Sequence, residues 1–270
     1  MVSFPHAKIN LGLNVIRKRA DGYHDLETCF YPIAWTDVLE IIPSKTFQFT
    51  SSGLAIEGNA DTNLCVKAYQ LLKKDFDLPA VHIHLHKIIP MGAGLGGGSS
   101  DAAFTLRQLS ESFDLGLSKA TLEDYAAKLG SDCAFFISDD AKLGTGRGEM
   151  LSPISVSLKG LYLVVVKPPV HVSTAEAYSG ITPSQHPTNI QEVLERKAIS
   201  EWRSLLINDF EDSVFKKYPA IREVKEQLYN LGALYASMSG SGSSVFGIFQ
   251  SERNLADAFA RMTYWQKQIE

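Results

Sequence analysis

A chain of 270 residues that is 45% hydrophobic and 21% charged has the composition of an ordinary globular protein. It is long enough to bury a sizeable core, as one large domain or two modest ones. Its formal net charge of −4 excludes a general nucleic-acid binder, which is usually basic, so any phosphate site must rely on local donors. No apolar run approaches membrane-spanning length, so no membrane partner is expected. Met1 to His6 lead directly into a strand pattern with no signal peptide. Cys29, Cys65 and Cys133 lie far apart and outside any C-x-x-C spacing, and they read as reduced thiols of a cytoplasmic protein.

From the N-terminus, Ala7, Ile9, Leu11, Leu13 and Val15 alternate with Lys8, Asn10, Gly12 and Asn14, which predicts a strand with one buried face. A turn at Ala20-Asp21-Gly22 precedes a second extended segment, Leu26 to Ile33. Further antiparallel strands are expected at 38–42 and 47–49. Asn63 to Lys74 has the spacing of a one-faced helix, through Leu64, Ala68, Leu71 and Leu72. The alternating segment Val81 to Lys87 then leads into a glycine run and a helix from Asp101 to Phe113. A short helix, Lys119 to Leu129, stops at Gly130. In the second half, Leu161 to Val166 is a continuous apolar strand halted by Pro168-Pro169. Two or three helices are expected between Asn189 and Leu231, and Pro183 to Pro187 reads as a loop. A strand pair flanks a glycine-serine segment near residue 240, and a helix from Glu252 to Lys267 closes the chain. The element order predicts an α+β protein of two domains, 1–157 and 158–270.

The glycine run is Pro90-Met91-Gly92-Ala93-Gly94-Leu95-Gly96-Gly97-Gly98-Ser99-Ser100. Glycine lets backbone N–H groups turn toward a ligand and leaves room for close approach. A helix starting between Ser99 and Ala102 adds unpaired N–H donors and the positive end of its dipole. Such a loop suits an anion, above all the phosphates of a nucleotide. The P-loop pattern fails because no lysine follows the glycines. The dinucleotide fingerprint matches Gly92, Gly94 and Gly97, but the strand before it alternates instead of being continuously apolar. A flexible linker would lack the flanking strand and helix signals.

Other segments are ambiguous by themselves. Lys8 and Asn10 project from the same face of the first strand; that face is either solvated or functional. Asp132 in Gly130-Ser131-Asp132 either caps a turn or serves as a base kept ionised by a nearby ammonium. Phosphoryl transfer to an alcohol calls for both a proton acceptor and a positive charge. Tyr23 and His24 follow a tight turn, where the phenol could stack on a base or pack on a neighbouring strand. His82, His84 and His86 share a strand face, but no carboxylate or cysteine completes a metal set. Ser239-Gly240-Ser241-Gly242 is either a backbone nest for an anion or a plain hairpin connection.

Five segments in order, P-x-A-K-I-N-L at Pro5 to Leu11, R-x-D-G-Y-H at Arg19 to His24, the glycine run into Ser99-Ser100-Asp101, G-S-D, and late S-G-S-G, resemble the GHMP kinases over essentially the whole chain. The resemblance implies a two-domain GHMP fold, with an N-terminal domain like part of a ribosomal protein and a ferredoxin-like C-terminal domain. It implies ATP with Mg2+ and transfer to a small alcohol, and R-x-D-G-Y-H points within the family to a substrate bearing a cytidine diphosphate group. By the same resemblance Asp132 is the general base and Lys8 its charge partner. Residues 90 to 100 would wrap the ATP phosphates. Asn10 would position the acceptor, Tyr23 would stack on the cytosine, His24 would bond its edge, and Tyr178 would face Tyr23 across the base. No metal ligand is assigned; Ser100 is a candidate. Ala134 stands where relatives often have proline, which bears on the stiffness of the Asp132 turn.

Overall fold

The computed structural model describes residues 1–183 and 188–270. In chain order its strands and helices are β1 (Val2–Ser3), β2 (His6–Lys18), β3 (His24–Thr36), β4 (Val38–Pro43), β5 (Gln48–Gly53), α1 (Leu64–Asp75), β6 (Val81–Lys87), α2 (Gly97–Ser112) and α3 (Lys119–Ala127). There follow β7 (Lys142–Thr145), β8 (Met150–Pro153), β9 (Tyr162–Lys167), α4 (Thr174–Ser179), α5 (Ile190–Arg196), α6 (Trp202–Leu205), α7 (Glu211–Lys217), α8 (Pro219–Asn230), β10 (Tyr235–Met238), β11 (Val245–Phe249) and β12 (Thr263–Gln268). The chain divides into two compact units with interleaved segments. One comprises 1–7, 35–91 and 96–140, the other 8–34, 92–95 and 141–270.

The first unit is built on a sheet of order β1-β4-β6-β5. β4 pairs antiparallel with β6, as expected. β5, in contrast, runs parallel to β6: α1 bridges the two strands as a crossover, and such a connection returns the chain in the same direction. Asn63 caps α1 by accepting the N–H of Cys65. α2 buries Ala102, Ala103, Leu106 and Leu109 along one stripe. It begins at Gly97, two to five residues earlier than the expected start between Ser99 and Ala102, so its first turn is glycine and serine only. α3 ends at Ala127 rather than Leu129.

The second unit contains a sheet of order β10-β11-β9-β12, with β9 antiparallel to both of its neighbours. Taken from β9 onward this is the ferredoxin-like strand order. The first crossover holds the helices and the second shrinks to one 3-10 turn, Asp257–Phe259. The helix expected over 252–267 is therefore absent. Tyr264 and Trp265 fall on the edge strand β12 instead, where pairing with β9 overrides a periodicity that fits either state. Residues 189–231 form four α-helices, one more than expected. Ile221, Val224 and Leu228 of α8 pack with Val164, Val166, Met238 and Phe249 as the core of this unit. A further sheet has order β2-β3-β7-β8. β2 is buried on both faces from Ala7 to Val15, not on one. The predicted loop at 183–187 falls mostly outside the described residues.

Candidate active site

β2 carries two polar side chains into the interior of the second unit. Lys8 is only 3% exposed and Asn10 equally buried, so the solvated-face reading is wrong for both. Burying an ammonium is tolerable only with close acceptors. Lys8 Nζ has them: it donates to Asn10 Oδ1 at 2.6 Å and to the Gly94 carbonyl at 3.0 Å, and it lies 5.4 Å from the Phe30 ring centroid. Asn10 Nδ2 in turn donates to Thr28 Oγ1, and that hydroxyl donates to the Gly12 carbonyl. The lysine is thus set by a relay of bonds within β2 and β3.

The glycine run has an internal logic. Gly92, Gly94 and Gly96 all adopt positive φ, while Ala93 and Leu95 between them are buried. Each left-handed residue reverses the chain so that the next side chain can turn inward, a conformation that only glycine adopts freely. At Gly94 the constraint is also steric, because a β-carbon there would sit 1.9 Å from the Ser239 carbonyl oxygen. Ser239 Oγ donates to the Gly94 carbonyl at 2.9 Å, and the Ser244 N–H donates to the Ala93 carbonyl. Gly94 and Ser239, 145 residues apart, thus meet inside one unit.

The Ser239–Gly242 turn is indeed the hairpin connection between β10 and β11. It is also half of a composite loop, closed by Gly242 N–H to Ser239 O and Ser239 N–H to Ser244 O. Ser241 Oγ lies 3.4 Å from Thr174 Oγ1. Of the earlier residues, Pro90 is buried and Met91 exposed. His171 covers Gly92 so closely that a β-carbon there would meet its ring at 2.5 Å.

In the first unit, Gly97, Gly98 and Ser99 supply the opening N–H groups of α2, ahead of the first intrahelical bond from Ser100 N–H to Gly96 O. Gly98 has open space where a side chain would be. Gly97 does not: Lys87 Nζ lies 2.9 Å from the position of its absent β-carbon. Lys87 is buried between two carboxylates, donating to Asp37 at 2.5 Å and Asp101 at 2.6 Å. Burial pushes the Asp101 carboxyl up to about 7, against the lowering pull of Lys87. Ser100 Oγ is buried with no hydrogen-bond partner.

Asp132 precedes a 3-10 turn, Cys133–Ile137, and its side chain makes no capping bond to it. The turn needs no proline at Ala134, because Phe135 and Phe136 are fully buried beneath it and Cys133 N–H bonds the Gly130 carbonyl. Burial also raises the Cys133 and Cys29 thiols to about 12, so neither is a nucleophile at neutral pH.

Tyr23 is 56% exposed beyond the turn, which is pinned by Arg19 and Arg17 on Asp21 and Asp25. Arg147 lies 5.0 Å from the centre of its ring. His24 stacks on Tyr178, with centroids 5.0 Å apart and planes at 24°, and Tyr178 meets Phe210 edge-on. Burial lowers the His24 pKa, assisted by Lys18, so the ring favours its neutral form. His82, His84 and His86 are bridged by the hydroxyls of Thr50 and Ser52. Among the described residues no cluster of three His, Cys, Asp or Glu side chains could hold a metal. Sequence reasoning missed Arg147, Lys87 and the acidic segment from Asn208 to Glu211. In that segment the signal was the pair Asn208-Asp209 shortly before a helix, which is indistinguishable from a cap.

Among the described residues no helix is long and apolar enough to cross a membrane. Sequence models of the GHMP kinases N terminal domain and the GHMP kinases C terminal match residues 63–140 and 190–267. The chain is 55% identical to a protein of Cytophaga hutchinsonii named 4-diphosphocytidyl-2-C-methyl-D-erythritol kinase, covering 93% of each chain. It is 47% identical to one of the same name from Parabacteroides distasonis, covering 100% of each. A crystal structure of 4-(cytidine 5'-diphospho)-2C-methyl-D-erythritol kinase superposes with a TM-score of 0.85 at 32% identity, covering 98% of both chains. The mevalonate kinase of Methanococcus jannaschii, 14% identical, shares the fold with a TM-score of 0.72, covering 100% of this chain and 98% of that one. With a lysine buried against its glycine loop, and relatives of this similarity along nearly its whole length, the chain belongs to the GHMP kinases and is a small-molecule kinase.

Proposed function

We propose that the protein transfers the γ-phosphoryl group of ATP to the 2-hydroxyl of 4-diphosphocytidyl-2-C-methyl-D-erythritol, a step of the non-mevalonate isoprenoid pathway. The observation that carries the chemistry is the Gly94 carbonyl, which accepts from both Lys8 Nζ and Ser239 Oγ. That sharing fixes a buried ammonium against the loop best suited to hold phosphates. The names of the relatives support the acceptor, as does an exposed tyrosine next to a stacked histidine.

In this reading residues 90–100 enclose the phosphates. The N–H groups of Gly97, Gly98 and Ser99 face them with the positive end of α2, and Ser239–Gly242 adds further donors. Lys8 stabilises charge on the transferring group, where fixed donors in a dry site act most strongly. Asp132 accepts the proton of the attacking hydroxyl; its oxygen bonds to the γ-phosphorus, the bond from the γ-phosphorus to the β,γ-bridging oxygen breaks, and ADP leaves with that oxygen. Asn10 orients Lys8 and the methylerythritol end. Tyr23 stacks on the cytosine, His24 hydrogen-bonds its edge, and Tyr178, stacked against His24, faces Tyr23 across the base. Mg2+, when bound, would neutralise the phosphate oxygens. The unpartnered Ser100 hydroxyl fits a hard oxygen ligand for it. Residues 1–157 and 158–270 are proposed as the two family domains. The protein is proposed to be cytoplasmic, with a small-molecule partner and neither nucleic acid nor membrane.

The test is ADP release with ATP and Mg2+ over a panel of acceptors: the cytidylated substrate, its cytidine-free 4-phosphate, mevalonate, homoserine and galactose. Turnover confined to the cytidylated acceptor supports the proposal. Turnover with another acceptor would keep the kinase and discard the substrate.

A further inference from the structure

Asn208, a residue outside every motif considered above, is 2% exposed, and both its amide donors and its amide oxygen are hydrogen-bonded. Its Nδ2 donates to the carbonyls of both Met238 and Gly240, each at 2.8 Å. Its Oδ1 accepts the Phe210 N–H at 3.0 Å. The two donated bonds straddle Ser239, the residue that meets Gly94. On its other side the segment is sewn along β2. Leu13 N–H bonds Ile207 O, Asp209 N–H bonds Leu13 O, and Val15 N–H bonds Asp209 Oδ2 at 2.6 Å. The same strand carries Lys8 and Asn10. Gly240 closes the circuit, since a β-carbon there would lie 3.2 Å from Asn10 Oδ1 and 3.4 Å from Lys8 Nζ. Buried Glu211 reinforces the arrangement from behind, accepting Met238 N–H and Ser237 Oγ while Lys225 neutralises it.

We propose that Asn208 is a positioning residue for phosphoryl transfer, holding the Ser239–Gly242 turn at a fixed offset from Lys8 and Gly94. Asparagine is the one residue of this length that offers two N–H donors and an acceptor together. Aspartate retains the acceptor for Phe210 but would set its carboxylate against two carbonyl oxygens. Alanine removes both donated bonds and, among the described residues, leaves the Met238 carbonyl with only the 3.4 Å bond from Ser237 Oγ. The inference rests on the kinase reading for its catalytic consequence, but its structural content can be tested apart from that reading.

The experiment compares Asn208→Asp, Asn208→Ser and Asn208→Ala with wild type and with Val224→Ala. The last removes core volume from the same unit and serves as a matched destabilised control. Two readouts are taken: steady-state kinetics with ATP and the cytidylated acceptor, and amide hydrogen exchange over residues 237–246. A displaced turn costs rate more than affinity, so Asn208→Asp and Asn208→Ala should lose about 10–100-fold in kcat, with the KM for the acceptor within about twofold. Their Ser239–Gly242 amides should exchange faster than in Val224→Ala at equal melting temperature. Asn208→Ser, which keeps one hydroxyl donor, should fall in between, and it decides the matter if the others do not fold. Sub-additive losses in Asn208→Ser combined with Ser239→Ala would place both residues on one path. Wild-type kcat and unchanged exchange in the folded variants would overturn the proposal, as would full rescue by aspartate, which would reduce Asn208 to a cap for Phe210. If wild type itself releases no ADP, the substrate reading fails, and the exchange comparison alone judges Asn208.

Discussion

The carbonyl oxygen of Ser239 lies 1.9 Å from the point where Gly94 would carry a β-carbon, and the Ser239 hydroxyl bonds the carbonyl of that same glycine at 2.9 Å. Residues 145 apart are thereby locked backbone to backbone, with Lys8 as the third member of the contact. Gly94→Ala should therefore fail twice over. Left-handed backbone costs an alanine about 1–2 kcal/mol, and the Ser239 turn must also retreat. The expected result is a kcat reduced by at least about 100-fold with a lowered melting temperature, whereas Gly98→Ala, facing open space, should remain folded. Equal thermal stability of the two variants would contradict the packing.

Lys8→Met removes the buried ammonium but keeps much of its stem. Loss of one fixed charge at the transferring group is expected to cost on the order of 10²–10³ in kcat. Lys8→Arg should not rescue it, because the planar fork cannot replace a point charge held between Asn10 Oδ1 and Gly94 O. Single-turnover rates with saturating ATP are the measurement.

Asp132→Asn should reduce turnover by about 10²–10⁴-fold while nucleotide binding, followed by calorimetry, stays near wild type. A collapse of ATP binding would mean that the carboxylate has a structural task and not that of a base.

These sites differ in how far the sequence revealed them. Glycine spacing identified the loop because alternate left-handed residues demand that one residue type at fixed positions, and the β-branched and apolar run at β9 left little choice of structure. The meeting of Gly94 with Ser239 was not legible, since nothing local in either segment encodes its partner. Strand alternation alone leaves Lys8 either solvated or functional, because it marks polar residues as outward, whereas β2 is buried on both faces. The terminal strand β12 was mistaken for a helix for a related reason: its state is decided by pairing with β9 and not by its own period.

Tyr23→Ala should chiefly raise the KM for the cytidylated acceptor. Stacking on an aromatic ring is worth about 1–3 kcal/mol per base, so a rise of about tenfold is expected with little change in KM for ATP. An unaltered acceptor KM would remove Tyr23 from the base site.

Asp101 gives stability a pH dependence of definite sign. Burial raises its folded-state pKa to about 7, from an ordinary value of 3.8. The folded protein therefore holds a proton that the unfolded chain has released, and this contribution is lost as pH rises from about 4 through 7. Asp101→Asn should flatten that part of the stability profile measured by urea unfolding between pH 5 and 8, pH values chosen to span the transition. A slope identical to wild type would assign the dependence to other groups.

The most direct measurement is phosphorus NMR of the reaction mixture with ATP, Mg2+ and 4-diphosphocytidyl-2-C-methyl-D-erythritol. A new phosphomonoester resonance without proton splitting from an ester carbon, as a phosphate on the tertiary 2-hydroxyl requires, and growing one-for-one with ADP, is the expected result. ADP formed with inorganic phosphate alone, or a phosphoester at another hydroxyl, would contradict the assigned reaction.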